Sequence, residues 1–164
     1  IGLAFQRPPT IHGVKTRDMV RISSRDAADA EALAARLHLT DFLDRDINDG
    51  FSGGEIKRSE LLQLLAQNPS LVLLDEPDSG VDLENAHLMG KMISQLLERD
   101  KRRKDRRRSA LIITHTGLIL DLDDWEADHA SPDFTMSCSG VPRAILADIK
   151  RMGYEECHRC RRQI

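Results

Sequence analysis

Leu71-Val72-Leu73-Leu74-Asp75-Glu76-Pro77 is the stretch that decides the fold. Four consecutive apolar residues without alternation suggest a strand buried on both faces of a parallel sheet. Two carboxylates and a proline then end it, because proline cannot continue a ladder. Downstream, Asp82 to Glu98 has helical spacing, with Ala86, Met89, Ile93 and Leu96 on one side. Ala110 to Ile113 reads as a second buried strand, ending at Thr114-His115. Upstream, Phe51-Ser-Gly-Gly-Glu55 opens a run of helix formers, with Ile56, Leu61, Leu64 and Leu65 toward a core. Asn68-Pro69 stops that helix. Ile1 to Phe5 is another candidate strand, ended by Gln6-Arg7-Pro8-Pro9. Strands alternating with helices indicate an α/β fold with a mainly parallel sheet.

The remaining segments carry weaker signals. Thr10 to Ile22 reads as irregular, with a turn at Gly13. Ser23-x-x-Asp26 looks like a helix start, and that helix should run to Leu39 with Ala30, Leu33, Ala34 and Leu37 on one face. Thr40 to Gly50 is polar and acidic, a loop with one turn of helix. Phe134 to Cys138 alternates as a half-exposed strand should, Ser139-Gly140 turns the chain, and Ala144 to Met152 forms a last helix.

Composition excludes several classes. The chain has 164 residues, enough for a domain with a real core. Its formal net charge of -3 argues against a globally basic nucleic-acid-binding domain. Aromatics at 4% are too sparse for base-stacking platforms. No apolar run approaches the roughly 20 residues that span a bilayer, and no signal peptide is visible. Three cysteines do not build a disulfide framework. A reducing cytoplasm is the expected compartment, with neither nucleic acid nor direct membrane insertion among its contacts.

In open α/β sheets ligands bind beyond the carboxyl ends of the strands. Three such ends carry polar groups here: Gln6, Asp75-Glu76 and His115. Two adjacent carboxylates repel each other when buried and unpaired. A magnesium ion at Asp75 and a water at Glu76 would remove that conflict. His115 could donate to a phosphate oxygen, and Gln6 has donor and acceptor capacity for metal or water. Each has a plainer reading as well. Asp75-Glu76-Pro77 could be an acidic turn, His115 a satisfied loop histidine, and Asp82 a helix cap. Ser52 and Glu55 have the spacing of a capping box, but a cap does not need Gly53 and Gly54, which cost stability in a helix.

Read in chain order, these pieces resemble the C-terminal part of an ABC-type ATPase. Phe5-Gln6 resembles the Q-loop, and Phe51 to Gln63 the signature motif and its helix. Leu71 to Pro77 resembles Walker B with its glutamate, Asp78-Ser-Gly-Val-Asp82 the D-loop, and Leu111 to His115 the H-loop. The resemblance implies a partial P-loop NTPase fold with a helical signature subdomain. It implies one nucleotide-binding domain over 1–164, with the signature part at 10–68, the core strands at 69–140, and a helix and tail at 141–164. It implies ATP and Mg²⁺ as cofactors, with Gln6 and Asp75 holding the metal and Glu76 acting as general base. His115 would contact the γ-phosphate. Ser52, Gly53, Gly54 and Glu55 would serve the ATP of a second ATPase subunit, and Asp82 would lie at that interface.

Phe5 to Arg21, Ile47 to Gln63 and Asp75 to Asn85 are also similar to the ATPase subunit of the Suf iron–sulfur assembly system. That subfamily implies scaffold partners of the Suf B/D type. A transporter ATPase and a non-catalytic module without a P-loop are the alternatives. No Gly-x-x-x-x-Gly-Lys-[Ser/Thr] occurs in the chain, so the half that would hold its own ATP is expected to be missing by truncation, and the chain alone is expected to be inactive. Lys101 to Arg108 reads as a solvated basic loop, Trp125 as a surface packing residue, and Cys157-His-Arg-Cys160 as free thiols in preference to a metal site.

Overall fold

A computed structural model describes residues 1–24, 29–114, 116–119, 127–130, 136–140 and 142–153. It divides into two compact units, Ile1–Ile119 and Leu120–Ile164.

The first unit is organised by a parallel sheet of three strands in the order β1 (Gly2–Ala4), β4 (Leu71–Asp75), β5 (Ser109–Ile113). Strand β4 is central and pairs in parallel with both neighbours. One face is covered: Gly2, Ala4, Val72 and Leu74 are buried. The helix α3 (Gly53–Gln67) packs on β1 and on α4 (Leu83–Leu96). Gly2 is required there, since a Cβ would sit 2.6 Å from Leu64 and 2.7 Å from Pro69. The opposite face differs from expectation. Strand β4 alternates half-buried and buried residues, and Leu3, Leu111 and Ile113 of the outer strands are exposed, as is Phe5 just past β1. The apolar runs were expected to be buried on both faces. Only one face is covered: α3 packs on the side of Gly2, where Leu64 lies, and α4 packs on α3.

The helices follow their local signals. Helix α3 opens on Ser52 and ends on Asn68, whose left-handed φ of 50° closes it before Pro69. Helix α4 buries Ala86, Met89, Ile93 and Leu96, the expected stripe. The basic run closes over its end: Arg108 donates to the Leu96 carbonyl at 3.0 Å, and Glu98 pairs with Lys101. Cations at a helix C-terminus oppose its dipole, so this run has a structural use as a loop.

Two segments depart from expectation. Thr10 to Ile22 is not irregular: it forms β2 (Ile11–Lys15) and α1 (Thr16–Ser23). Strand β2 pairs with the two-residue β3 (Asp46–Ile47), and Asp46 accepts from Gly13 N–H at 2.8 Å and Lys15 Nζ at 2.7 Å. Its partner lies some 30 residues on, so no local pattern announces it. Helix α2 (Ala30–Arg36) is capped by Asp29, which accepts from Ala32 N–H, and Ser23 ends α1. Arg58 of α3 donates to the Leu37 carbonyl at 2.8 Å, satisfying an orphan group beyond the end of α2.

In the second unit, β6 (Ala127–Ala130) pairs antiparallel with β7 (Met136–Gly140), followed by α5 (Pro142–Met152). Ser139-Gly140 therefore lies within a strand, where a turn was expected; its ladder partners Ala127 and Asp128 sit in a segment with no strand pattern. Pro142 at the first helical position suits a helix start, and Ile145 is buried with Ile149 packed on it. Trp125, Cys157 and Cys160 lie outside the described residues.

Candidate functional site

The site forms where the three parallel strands end together. The β1–β4 register pairs Ala4 with Leu74. Carried two residues further, it brings Gln6 level with Glu76, and Gln6 Nε2 donates to Glu76 Oε2 at 2.6 Å. The next strand continues the set: Asp75 pairs with Ile113, and Glu76 N–H donates to the Ile113 carbonyl at 2.9 Å. Glu76 has a φ of 47°, a left-handed conformation that costs a non-glycine residue roughly 1–2 kcal/mol. The backbone bond to Ile113 and the side-chain bond to Gln6 hold it there. His115, expected beside this pair, lies outside the described residues.

Helix α3 runs back along β1, with Leu64 near Gly2, Glu60 at Phe5 and Lys57 at Gln6, so its first turn lies at the same end. Ser52 Oγ accepts from Glu55 N–H at 3.4 Å, and Ser52 N–H donates to Glu55 Oε2 at 2.6 Å. The capping box is therefore real, and the Ser52 N–H beside Glu55 holds its carboxyl below the usual range. The glycines are a different matter. A Cβ on Gly53 would meet the Gly80 carbonyl at 3.8 Å, and one on Gly54 would meet Asn85 at 4.0 Å. Both are ordinary contacts, and neither glycine has a positive φ. Nothing in this chain's own packing requires glycine at either place. The approaches also show that the start of α3 lies against Gly80 and the first turn of α4.

Asp82 caps α4: it accepts from Asn85 N–H at 2.9 Å and from Asn85 Nδ2 at 2.6 Å. These bonds hold its carboxyl below the usual range. The cap reading of Asp82 thus accounts for its contacts within the chain.

Three site residues were not singled out from sequence. Asp78 is buried and accepts from Thr114 Oγ1 at 2.9 Å, Thr116 Oγ1 at 2.5 Å and Ile119 N–H at 3.2 Å. It ties the segment after β4 to the segment after β5. Lys57 and Glu60 grip the end of β1. Lys57 Nζ donates to the carbonyls of Phe5 at 3.1 Å and Gln6 at 2.9 Å, and Phe5 N–H donates to Glu60 Oε2 at 2.6 Å. Burial pulls the Lys57 pKa down, against the raising fields of Glu60, Asp75, Glu76 and Asp78. Burial pushes the Glu60 carboxyl up to about 7, against the Phe5 bond and Lys57. The signal for this pair was available: residues 57, 60, 61 and 64 share one helical face, and two charges on a core-facing stripe call for partners.

The donor set suits a hard cation. Asp75 offers carboxylate oxygens, and with Nε2 of Gln6 committed to Glu76, its Oε1 is left as an oxygen of the kind a hard cation could take. Among the described residues no group of three or more His, Cys, Asp or Glu could hold a metal ion by itself. Mg²⁺ is held by one or two protein oxygens together with phosphate and water. Among the described residues no helix is long and apolar enough to cross a membrane.

Residues 1–79 match the family described as ABC transporter. A relative from Cyanidium caldarium, described as "Probable ATP-dependent transporter ycf16", is 36% identical over 172 residues, covering 94% of this chain and 64% of its own length. The protein of the same description from Cyanophora paradoxa is 36% identical over 137 residues, with 74% and 50% covered. A protein of Streptococcus pyogenes described as "Probable ABC transporter ATP-binding protein" is 31% identical over 166 residues, with 93% and 62% covered. The chain thus spans between half and two-thirds of these relatives. Among solved structures, an ATP-binding cassette of an ABC transporter aligns with a TM-score of 0.63 at 20% identity, covering 96% of this chain and 67% of the other. An archaeal ribosome recycling factor, solved in complex with a ribosomal stalk protein, aligns with a TM-score of 0.64 at 22% identity, covering 83% and 25%. At such identities the likeness shows the fold. The match over residues 1–79, the descriptions of these relatives and the fold agree in likening this chain to ABC-type ATP-binding domains.

Proposed function

We propose that this chain is the Q-loop, signature and Walker B portion of an ATPase that works as a pair of subunits on ATP with Mg²⁺. The observation that carries this reading is the 2.6 Å bond between Gln6 and Glu76, formed by residues 70 positions apart at the ends of adjacent parallel strands. In this reading Glu76 accepts the proton of the attacking water and Gln6 orients it. Asp75 and Gln6 Oε1 face the Mg²⁺, which neutralises phosphate charge when bound. The start of α3 presents free N–H groups and a positive dipole end to the γ-phosphate of ATP held by the second subunit. Gly53 and Gly54 allow that close approach, which is a reason for glycine that the chain's own packing does not supply. Asp82 and His115 keep the interface and γ-phosphate roles that the resemblance implies.

Two readings of the partner remain. Asp78-Ser-Gly-Val-Asp82 and the stretch after Gln6 support a scaffold of the Suf B/D type in iron–sulfur assembly. The descriptions of the relatives support a transporter. Co-purification separates them: soluble scaffold subunits favour the first, membrane subunits the second.

The test uses the gene with its upstream coding sequence. An in-frame P-loop is expected there, and the purified product should hydrolyse ATP with Mg²⁺. The 164-residue chain alone should not. Ser52→Arg should abolish turnover and leave nucleotide binding at the P-loop largely intact. Undiminished turnover in Ser52→Arg would sink the shared-site reading, and a stop codon directly upstream of Ile1 would favour a non-catalytic module.

A further inference from the structure

We infer that Lys57 and Glu60 are positioning residues that set Gln6 against Glu76. The inference rests on the reading of Gln6 and Glu76 given above. The strand β1 ends at Ala4, so no ladder partner holds Phe5 and Gln6. Their backbone is held by α3 instead. Lys57 has one ammonium for two adjacent carbonyls, Phe5 at 3.1 Å and Gln6 at 2.9 Å. Glu60, one turn along, takes the Phe5 N–H at 2.6 Å. Both peptide units that flank the Gln6 α-carbon on its N-terminal side and at its own carbonyl are therefore fixed by one helix. With φ and ψ set, the Gln6 side chain has a defined direction, and 2.6 Å to Glu76 is the result.

Two features argue against a purely structural role. A buried Lys57 costs desolvation that a leucine on the same stripe would avoid, and it is 7% exposed. Phe5 itself is 50% exposed, so the clamp does not serve to bury its side chain. What the clamp does deliver is a fixed Gln6. The same helix begins with Ser52-Gly53-Gly54, so one rigid element carries the phosphate-facing turn and the grip on Gln6.

The test is nuclear magnetic resonance on the full chain without nucleotide. In the wild type, one Gln6 side-chain amide proton should stand apart from the free glutamine amides, and Phe5 N–H should exchange slowly. Lys57→Met should move the Gln6 signal to the free position. Glu60→Leu should do the same and speed Phe5 exchange roughly tenfold or more, the loss of its carboxyl acceptor. Glu60→Gln keeps an acceptor for Phe5 N–H and should keep both signatures, which loss of packing alone would not predict. Should Lys57→Met fail to fold, Glu60→Leu carries the same readout. A folded Lys57→Met or Glu60→Leu chain whose Gln6 signal is unchanged overturns the inference. No nucleotide enters the experiment, so its outcome is separate from whether ATP is turned over.

Discussion

Asp78→Ala should be among the most damaging single changes in the first unit. Asp78 is 3% exposed, and its carboxylate gathers three donors from the segment after β5. Alanine removes the acceptor and leaves the donors in place. Thr116 is exposed and can turn to water, so its bond counts little. Thr114 is half-buried and Ile119 N–H is buried, and each loses a charged acceptor. A hydrogen bond to a charged group is worth about 1.5–3 kcal/mol, and an orphaned buried donor costs about 1–3 kcal/mol. The expected loss is about 3–4 kcal/mol, a large share of a typical domain's stability. Asp78→Asn keeps one oxygen but points an NH₂ at other donors, and should lose about half as much. Urea unfolding followed by circular dichroism reads the change, with the midpoint falling and the slope unchanged. A double-mutant cycle with Thr114→Val isolates the bond and should show a coupling of about 1 kcal/mol. If Asp78→Ala lies within about 0.5 kcal/mol of wild type, or the two changes simply add, the carboxylate does not hold this segment.

Gly53→Ala separates the chain's own needs from the partner's. With only a 3.8 Å contact to meet and an ordinary φ, alanine should leave stability unchanged or raise it by up to about 1 kcal/mol. Turnover of the P-loop-bearing product should nevertheless fall by roughly a hundredfold, because the phosphate can no longer approach; retained turnover refutes the cradle. Glu60 gives a pH signature. Its folded pKa is raised to about 7 from 4.5, so the folded chain holds the proton more tightly than the unfolded chain. The stability this contributes is full below pH 4.5 and is lost as pH rises through about 7. Since Glu60 is partly exposed, the expected loss is about 1–2 kcal/mol. Glu60→Gln should flatten that window, and an identical pH profile in the two proteins refutes the assignment.

Much of the site was legible because its signals are local. Ser52-x-x-Glu55 and Asn68-Pro69 bound α3 through bonds within four residues of each other, and the structure shows both. The stripe of Ala86, Met89, Ile93 and Leu96 depends only on helical period. Motif order placed Gln6, Asp75-Glu76 and Asp82 at the ends of strands and the start of a helix. Asp29 was missed as a cap because Ser23-x-x-Asp26 offered a local pattern of the same kind; Ser23 ends α1, and Asp26 lies outside the described residues.

What the sequence determined alone was therefore the kind of each strong element and the residues at its ends, since capping, periodicity and proline stops act within a turn or two. Tertiary structure decided which ends meet. Gln6 reaches Glu76 through the register of β1 on β4. Asp78 reaches Thr114 through that of β4 on β5. Gly53 lies near Gly80 because α3 folds back along β1, which pairs with β4. The single covered face of the sheet was also decided there, because burial depends on where helices pack and an apolar run does not encode that. Each of these joins residues 27 to 70 positions apart, and across such separations pairing is chosen by the packing of the whole unit.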